Sequence, residues 1–267
     1  ISITSLIDSP RVKLLQEKHN EEMEQDVSEM IWSSFGTAVH HLFEKRAGLH
    51  GEDVISEERI FAESNGWTIS GAIDLQQIED GAIIISDYKV TSVWSVIFGK
   101  KEWETQLNCY AGLVRMAKQM PVKELRIIAV LRDWQRRKAQ MEDTYPQSPI
   151  TVVNIPMWSE QEAFDYLDSR VKLHQSASFE AQTNGVLPQC SPQERWQKDT
   201  TYAVMKKNRV RAIKIHTVEE DAESHASSLG KDHLVEERLG EATRCTQNWC
   251  GVAKWCDQYQ KKGEEGC

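Results

Sequence analysis

Two short stretches carry the residues best suited to chemistry: Ser70-Gly71-Ala72-Ile73-Asp74 and Ser86-Asp87-Tyr88-Lys89. Asp87 and Lys89 are two apart, so on a strand they share a face. If both stretches are strands joined by a turn at Glu79-Asp80-Gly81, Asp74 and Asp87 converge at one end of a sheet. Two carboxylates can hold Mg²⁺ or Mn²⁺. A neighbouring lysine can orient or help deprotonate an attacking water, or neutralise charge developing on a phosphate. A solvated Asp–Lys pair is the simpler alternative. His40, in Gly36-Thr37-Ala38-Val39-His40, offers an imidazole that would bias such a site toward Mn²⁺ over Mg²⁺. Gly36 is expected to let another element approach closely, and His41 faces elsewhere on the same helix.

The second chemical signal is cysteine. Of Cys109, Cys190, Cys245, Cys250, Cys256 and Cys267, five fall in the last third. A disulfide scaffold is usually shorter and more evenly stapled, so this late grouping points to metal. Cys245, Cys250 and Cys256 alternate with Trp249, Trp255 and Tyr259. Their spacing is looser than the short hooks of structural zinc sites and suits a 4Fe-4S cluster shielded by aromatic side chains. Cys190 is the natural fourth ligand; structural zinc is the alternative. Cys109 reads as a buried small hydrophobe.

The elements that must position these residues follow from periodicity. Val27 to Ala47 reads as a helix with Ile31, Phe35, Ala38, Val39 and Leu42 on one face and Gly48 at its stop. Glu57–Ala62, Trp67–Leu75 and Gly81–Val90 read as strands. Trp103 to Met120 returns to helix, with Leu107, Tyr110, Ala111, Val114 and Ala117 on one side and Pro121 ending it. Leu125–Leu131 and Ile150–Ile155 are further strands, with a loop between them, and Ser159 opens a helix to about His174 with Glu162 at the capping-box position. The order implies a mixed α+β or α/β core with helices flanking a central sheet. Composition shifts near Ala181–Pro192 and divides the chain into a core, residues 1–180, and a C-terminal module, residues 181–267, expected to pack on it. In that module Tyr202–Met205 and Arg209–His216 read as a basic hairpin turning at Lys207-Asn208, and Thr217–Ser227 as a short acidic helix.

Composition narrows the function classes. The 267 residues carry 32 basic and 41 acidic side chains, a net charge of −9, with 40% hydrophobic and 27% charged residues. These are ordinary values for a soluble globular protein, and apolar runs as short as Ala82–Ile85 and Ile127–Leu131 exclude a membrane span. No leader is visible, but the chain starts at Ile1 rather than Met, which leaves a removed leader open; the expected location is cytoplasmic. Coating nucleic acid by bulk charge is excluded. A nucleic-acid enzyme with grouped basic residues is not: Arg132, Arg136, Arg137 and Lys138 flank Trp134, and Lys206, Lys207, Arg209, Arg211 and Lys214 lie in the later hairpin. Such patches can track phosphates and stack the bases of a single strand.

Taken in order, G-T-A-V-H, Glu58, G-A-I-D, D-Y-K and Q-L-N-C-Y resemble the PD-(D/E)XK nuclease superfamily, in its RecB-like and phage exonuclease branch. The specific motifs span His40 to Tyr110. The resemblance implies a restriction-endonuclease-like sheet. It implies that His40, Asp74 and Asp87 ligate the metal with the Tyr88 carbonyl, and that Lys89 acts on the nucleophilic water. Glu58, rather than Glu57, would ligate through water, and Gln106 and Tyr110 would position the DNA strand or Lys89. Relatives with a C-terminal iron–sulfur cluster are similar in their three late cysteines and one remote one. In the best-known groups the remote cysteine precedes the nuclease motifs, whereas Cys190 follows them. The run Leu187 to Trp196 looks more like the L-P-x-C-[ST]-P-x-E-R-W of phage-encoded relatives. The function implied is a DNA exonuclease in phage or bacterial recombination and repair. It would work in the bacterial cytoplasm on single-stranded DNA or DNA ends, with recombination or replication proteins as partners. A structure-specific endonuclease, or a non-catalytic DNA-binding or assembly protein, are the alternatives.

Overall fold

The computed structural model describes residues 1–23, 30–47, 51 and 53–264, and the side chains of these as far as Gln260. Val27–Glu29, Gly48 and Cys267, which the sequence reading uses, lie outside the described residues. In chain order, α1 (Ile3–Ile7), α2 (Pro10–Lys18) and a 3₁₀ turn at Asn20–Glu22 precede α3 (Ile31–Ala47). Strands β1 (Val54–Ser64), β2 (Trp67–Glu79) and β3 (Ala82–Thr91) lead into α4 (Val93–Phe98) and α5 (Lys101–Lys118). Then come β4 (Val122–Leu131), α6 (Arg136–Met141), β5 (Ile150–Ile155) and α7 (Glu160–Asn184). The last part holds β6 (Thr201–Lys206), β7 (Lys214–His216), α8 (Glu219–Leu229), β8 (His233–Arg238), α9 (Thr243–Thr246) and α10 (Asp257–Glu264). Among the described residues no helix is long and apolar enough to cross a membrane.

Two compact units divide the chain: Ile1–Asp8 with Glu24–Gly185, and Ser9–Met23 with Val186–Cys267. Ser9–Met23, expected in the core, groups instead with the C-terminal residues because Val12 and Leu15 bury against Val252 and Cys256. The boundary near residue 180 falls at Gly185, because α7 continues past His174 until Gly185 turns left-handed after Asn184.

The first unit is a mixed α+β fold around a five-stranded sheet in the order β1-β2-β3-β4-β5. The first three strands form an antiparallel meander. Its β2–β3 turn is built by Asp80 and Gly81, both at positive φ, as a tight primed hairpin turn demands. β3 and β4 are parallel, so the chain must cross over between them, and α5 makes that crossing. Its face of Leu107, Tyr110, Ala111 and Val114 is buried with Ile73, Ile85 and Ile127, while Ala117 is exposed. Gly71 has a steric reason: a Cβ there would lie 2.8 Å from Tyr110 Cε1. On the other face Phe43 and Ala47 of α3 pack with Leu75 and Tyr88. The capping box at Ser159 and Glu162 forms as expected.

Three expectations are corrected. On α3 only Val39 of the expected apolar face is buried; Ile31, Phe35, Ala38 and Leu42 are exposed. Nothing lies within 4 Å of a Cβ built on Gly36, so that glycine admits no close neighbour. In the second unit the basic hairpin is shorter than expected: Asn208 turns at positive φ, residues 209–213 lie outside the strand, and β7 keeps only Lys214–His216. β6 instead gains a second neighbour, β8, giving a three-stranded sheet β7-β6-β8.

Candidate functional site

β1, β2, β3 and α3 together build an acidic centre. Strict alternation would put Ile73 and Leu75 on one face of β2. Ile73 packs into the core beside α5, yet Leu75 packs beside α3, so the strand switches face at Asp74. β1 does the same at Glu57: Ile60 and Ala62 face the α5 side and Val54 the α3 side. The ladder pairs Ser56 with Leu75 and Glu58 with Ile73 but leaves Glu57 and Asp74 unpaired between them. Glu57 there has φ +52°, a costly conformation for a side-chain-bearing residue that surrounding structure must enforce. The paired irregularity frees both carboxylates from the pleat.

They meet His40. Its Nδ1 lies 3.6 Å from both Glu57 Oε1 and Asp74 Oδ1, and its Nε2 lies 3.0 Å from the Tyr88 carbonyl oxygen. One ligand atom from each of His40, Glu57 and Asp74 falls within 4.8 Å of the others. Asp74 Oδ2 accepts a 2.7 Å hydrogen bond from Tyr88 N–H. Burial, with the adjacent Asp87 charge, nevertheless pushes the Asp74 carboxyl from its ordinary 3.8 up to about 7. The Tyr88 N–H, His40 and Lys89 only partly offset this.

Asp87 sits beside this cluster. Its Oδ1 accepts from Gln106 Nε2 at 3.1 Å, and the same amide donates to Tyr110 Oη at 3.1 Å. Its buried Oδ2 accepts no hydrogen bond and is met by Lys89 Nζ at 2.7 Å. Asp87 and Lys89 thus share a face, and the Gln106–Tyr110 pair of α5 holds Asp87 rather than Lys89.

Glu58 is the correction. It faces α5, where it accepts from Gln76 Nε2 at 2.7 Å and pairs with Lys118. Burial works against its charge, but Lys118 and Gln76 outweigh that and hold the carboxyl below its ordinary range. Glu57 occupies the acidic position that the sequence reading gave to Glu58. Consecutive glutamates were the only signal: adjacent strand residues face opposite sides, and nothing local says which of the two faces His40.

The cysteines form a separate site within the second unit. Cys190, Cys245, Cys250 and Cys256 all line one cavity of about 530 Å³, with Val12, Leu15, Val252 and Tyr259. Neither these four nor Cys109 is in a disulfide among the described residues. Burial pushes Cys190 up to about 11 and also raises Cys245. The buried Arg11 donates Nε–H to Cys256 Sγ at 3.2 Å, reaches the Leu187 and Pro188 carbonyls at 3.3 and 2.9 Å, and pairs with Asp257. Nothing in the local sequence points to Arg11, because its partners are about 180 to 250 positions away. Cys109 is fully buried in the first unit's core and pushed up to about 12 by burial.

No family model matches the chain, and no curated protein does. Among solved structures the chain is similar to one described as "Crystal structure of SSO0001", at 16% identity and a TM-score of 0.46, over 65% of this chain and 75% of that one.

Proposed function

We propose that the chain is a metal-dependent deoxyribonuclease with a restriction-endonuclease-like core. It works as an exonuclease on DNA ends in phage or bacterial recombination and repair, in the bacterial cytoplasm. The observation that carries this reading is the convergence of His40, Glu57 and Asp74 beside the Asp87–Lys89 pair. The donor set fits a divalent cation: oxygen-rich with one imidazole, with an Asp74 carboxyl destabilised when charged. His40, Glu57, Asp74 and Asp87 are the side chains that would hold it. A bound Mg²⁺ or Mn²⁺ supplies an acidified water and positive charge against the phosphodiester. Lys89, on the same face as Asp87, donates to a phosphate oxygen or to the attacking water. Gln106 fixes the orientation of Asp87, and Tyr110 fixes that of Gln106.

The four cysteines are read as the ligands of a 4Fe-4S cluster with a structural role. Support comes from four cysteines, none in a disulfide, around one largely apolar cavity. Tetrahedral zinc would draw its sulfurs to within about 3.8 Å of one another, given Zn–S bonds of about 2.3 Å. Among the described residues, three such donor atoms come within 4.8 Å only at His40, Glu57 and Asp74. Cluster ligation would join Ser9–Met23 and the C-terminal residues into one folded piece.

The test uses anaerobically purified protein with Mn²⁺ or Mg²⁺ on end-labelled linear and closed circular DNA, beside Asp87→Ala. Metal-dependent loss of linear DNA alone, abolished by the substitution, is the expected result. Cutting of circles would replace the exonuclease with an endonuclease. DNA binding without cleavage would leave a binding protein on this fold.

A further inference from the structure

The first unit exposes more aromatic surface than a solvated face requires. Trp32 is 56% exposed, Trp94 54% and Phe98 78%. Isolated exposed apolar residues need no explanation, but a contiguous patch marks an interaction site. These three form two groups, Trp94 with Phe98 and Trp32 with Arg132, tied through the 91–93 and 132–133 segments. Trp94 and Phe98 on α4 stack with ring centroids 5.7 Å apart and planes 13° from parallel. Lys138 Nζ lies 6.0 Å from the Trp94 ring, and the Arg132 guanidinium 4.7 Å from the Trp32 ring. Between them, Asp133 Oδ1 accepts from Val93 N–H at 2.7 Å, and Arg132 N–H donates to the Thr91 carbonyl at 3.0 Å. The start of α4 is thereby pinned to the segment that carries Arg132 and leads into the basic α6.

The patch adjoins the acidic centre along two routes. α4 begins two residues after β3, the strand that bears Asp87 and Lys89. Trp32 lies eight residues before His40 on α3, about 12 Å along the helix axis. Trp134, the aromatic that the sequence placed among these basic residues, is not part of the shelf: it packs on the core and spends its indole N–H on the Pro146 carbonyl.

We propose that Trp32, Trp94 and Phe98 form a stacking shelf for the bases of an unpaired nucleic-acid strand, with Arg132 and Lys138 taking its phosphates. Flat aromatic faces can receive only bases that have left the duplex, whereas cations beside the rings serve any phosphate. A protein partner would bury the same rings, but the cations held over them, Lys138 half-buried and Arg132 exposed, are complementary to a polyanion. This rests on the nuclease reading for its biological sense, since the shelf would deliver a strand end to the acidic centre.

The experiment measures binding of the full chain to a fluorescent oligothymidylate and to a blunt hairpin duplex by anisotropy, in EDTA so that nothing is cut. The single strand is expected to bind at least tenfold more tightly. Trp32→Ala and Trp94→Ala are each expected to weaken it by about 5- to 150-fold, the range for losing one stacked base. Arg132→Ala should lower the salt dependence by about one ion. Phe179→Ala, an exposed aromatic on α7, should change nothing, and unchanged thermal midpoints exclude unfolding. Wild-type affinity in both tryptophan variants, or equal losses on duplex and single strand, overturns the shelf. The two readings fail separately: strand binding lost in the tryptophan variants but no metal-dependent cleavage by wild type removes the nuclease and keeps the shelf, and the converse removes the shelf alone.

Discussion

Replacing Asp74 by Asn tests the acidic centre without substrate. Folding raises the Asp74 pKa from its ordinary 3.8 to about 7, through burial first and the Asp87 charge second. A raised carboxylate pKa favours the protonated native state. The associated stability is fully present below about pH 4 and is lost as pH climbs through about 7. Each pKa unit corresponds to about 1.4 kcal/mol, so the fully ionised residue gives up about 4 kcal/mol. Asn is neutral and isosteric, and its carbonyl can still accept the Tyr88 N–H. In EDTA at pH 8 the Asn variant should therefore be the more stable protein by about 2–4 kcal/mol, or about 5–15 °C in thermal midpoint for a unit of this size. At pH 4.5 the gap should shrink to about 1 kcal/mol, because the unfolded carboxyl is already mostly ionised there while the native one is not. Adding Mn²⁺ at pH 8 should stabilise the wild type through mass action and leave the variant unmoved, so that their order reverses. Differential scanning fluorimetry across pH, with and without Mn²⁺, reads all of this. A variant that is less stable at pH 8 in EDTA, or that gains as much from Mn²⁺ as wild type, would refute both the electrostatic argument and the assignment of Asp74 as a metal ligand.

Glu57→Gln should weaken Mn²⁺ binding about tenfold or more by isothermal titration while Glu58→Gln leaves it unchanged, because only Glu57 reaches His40; the opposite ranking would return the role to Glu58. Gly71→Ala should cost about 1–3 kcal/mol in urea denaturation, since its Cβ meets the Tyr110 ring at 2.8 Å. Gly36→Ala, with open space around it on α3, should instead stabilise by about 0.5–1 kcal/mol. Anaerobically purified protein should be brown, with absorbance near ~400 nm from iron–sulfur thiolates. Serine at Cys190, Cys245, Cys250 or Cys256 should bleach it and serine at Cys109 should not; colourless protein containing stoichiometric zinc would settle the alternative.

How much of this was legible depends on the range of the interactions involved. The β2–β3 hairpin is written locally, in β-branched runs closed by Asp80-Gly81, and so is the capping box at Ser159 and Glu162. The Gln106–Tyr110 pair is legible as an (i, i+4) relation on α5, but which acid it holds is not, because Asp87 arrives from another strand. Periodicity identified α3 correctly and misled about its environment: a 3.6-residue apolar repeat shows that a helix has an apolar face and says nothing of whether a neighbour covers Ile31, Phe35 and Leu42. The strand β8 escaped notice because His233–Arg238 is mostly polar and needs β6 as its partner, and the grouping of Arg11 with Cys256 spans 245 positions.

The error at Glu58 is the instructive one. Reading a strand by alternation assumes that the pleat continues, and in β1 and β2 it is broken at Glu57 and Asp74. Glu57 and Asp74 face each other across the one rung that makes no ladder pairing, and both strands change face there. An unbroken pleat would have kept Leu75 on the Ile73 side and sent the two acids away from the α5 face as ordinary ladder residues. The break gives up backbone pairing and imposes a positive φ on a glutamate. Natural sequences keep local rules wherever stability alone is at stake, and the places where they break them are the places to look for function. By that reasoning the misread register is itself support for a divalent-ion site, because a cation held by His40, Glu57 and Asp74 is the interaction that would make the irregularity favourable.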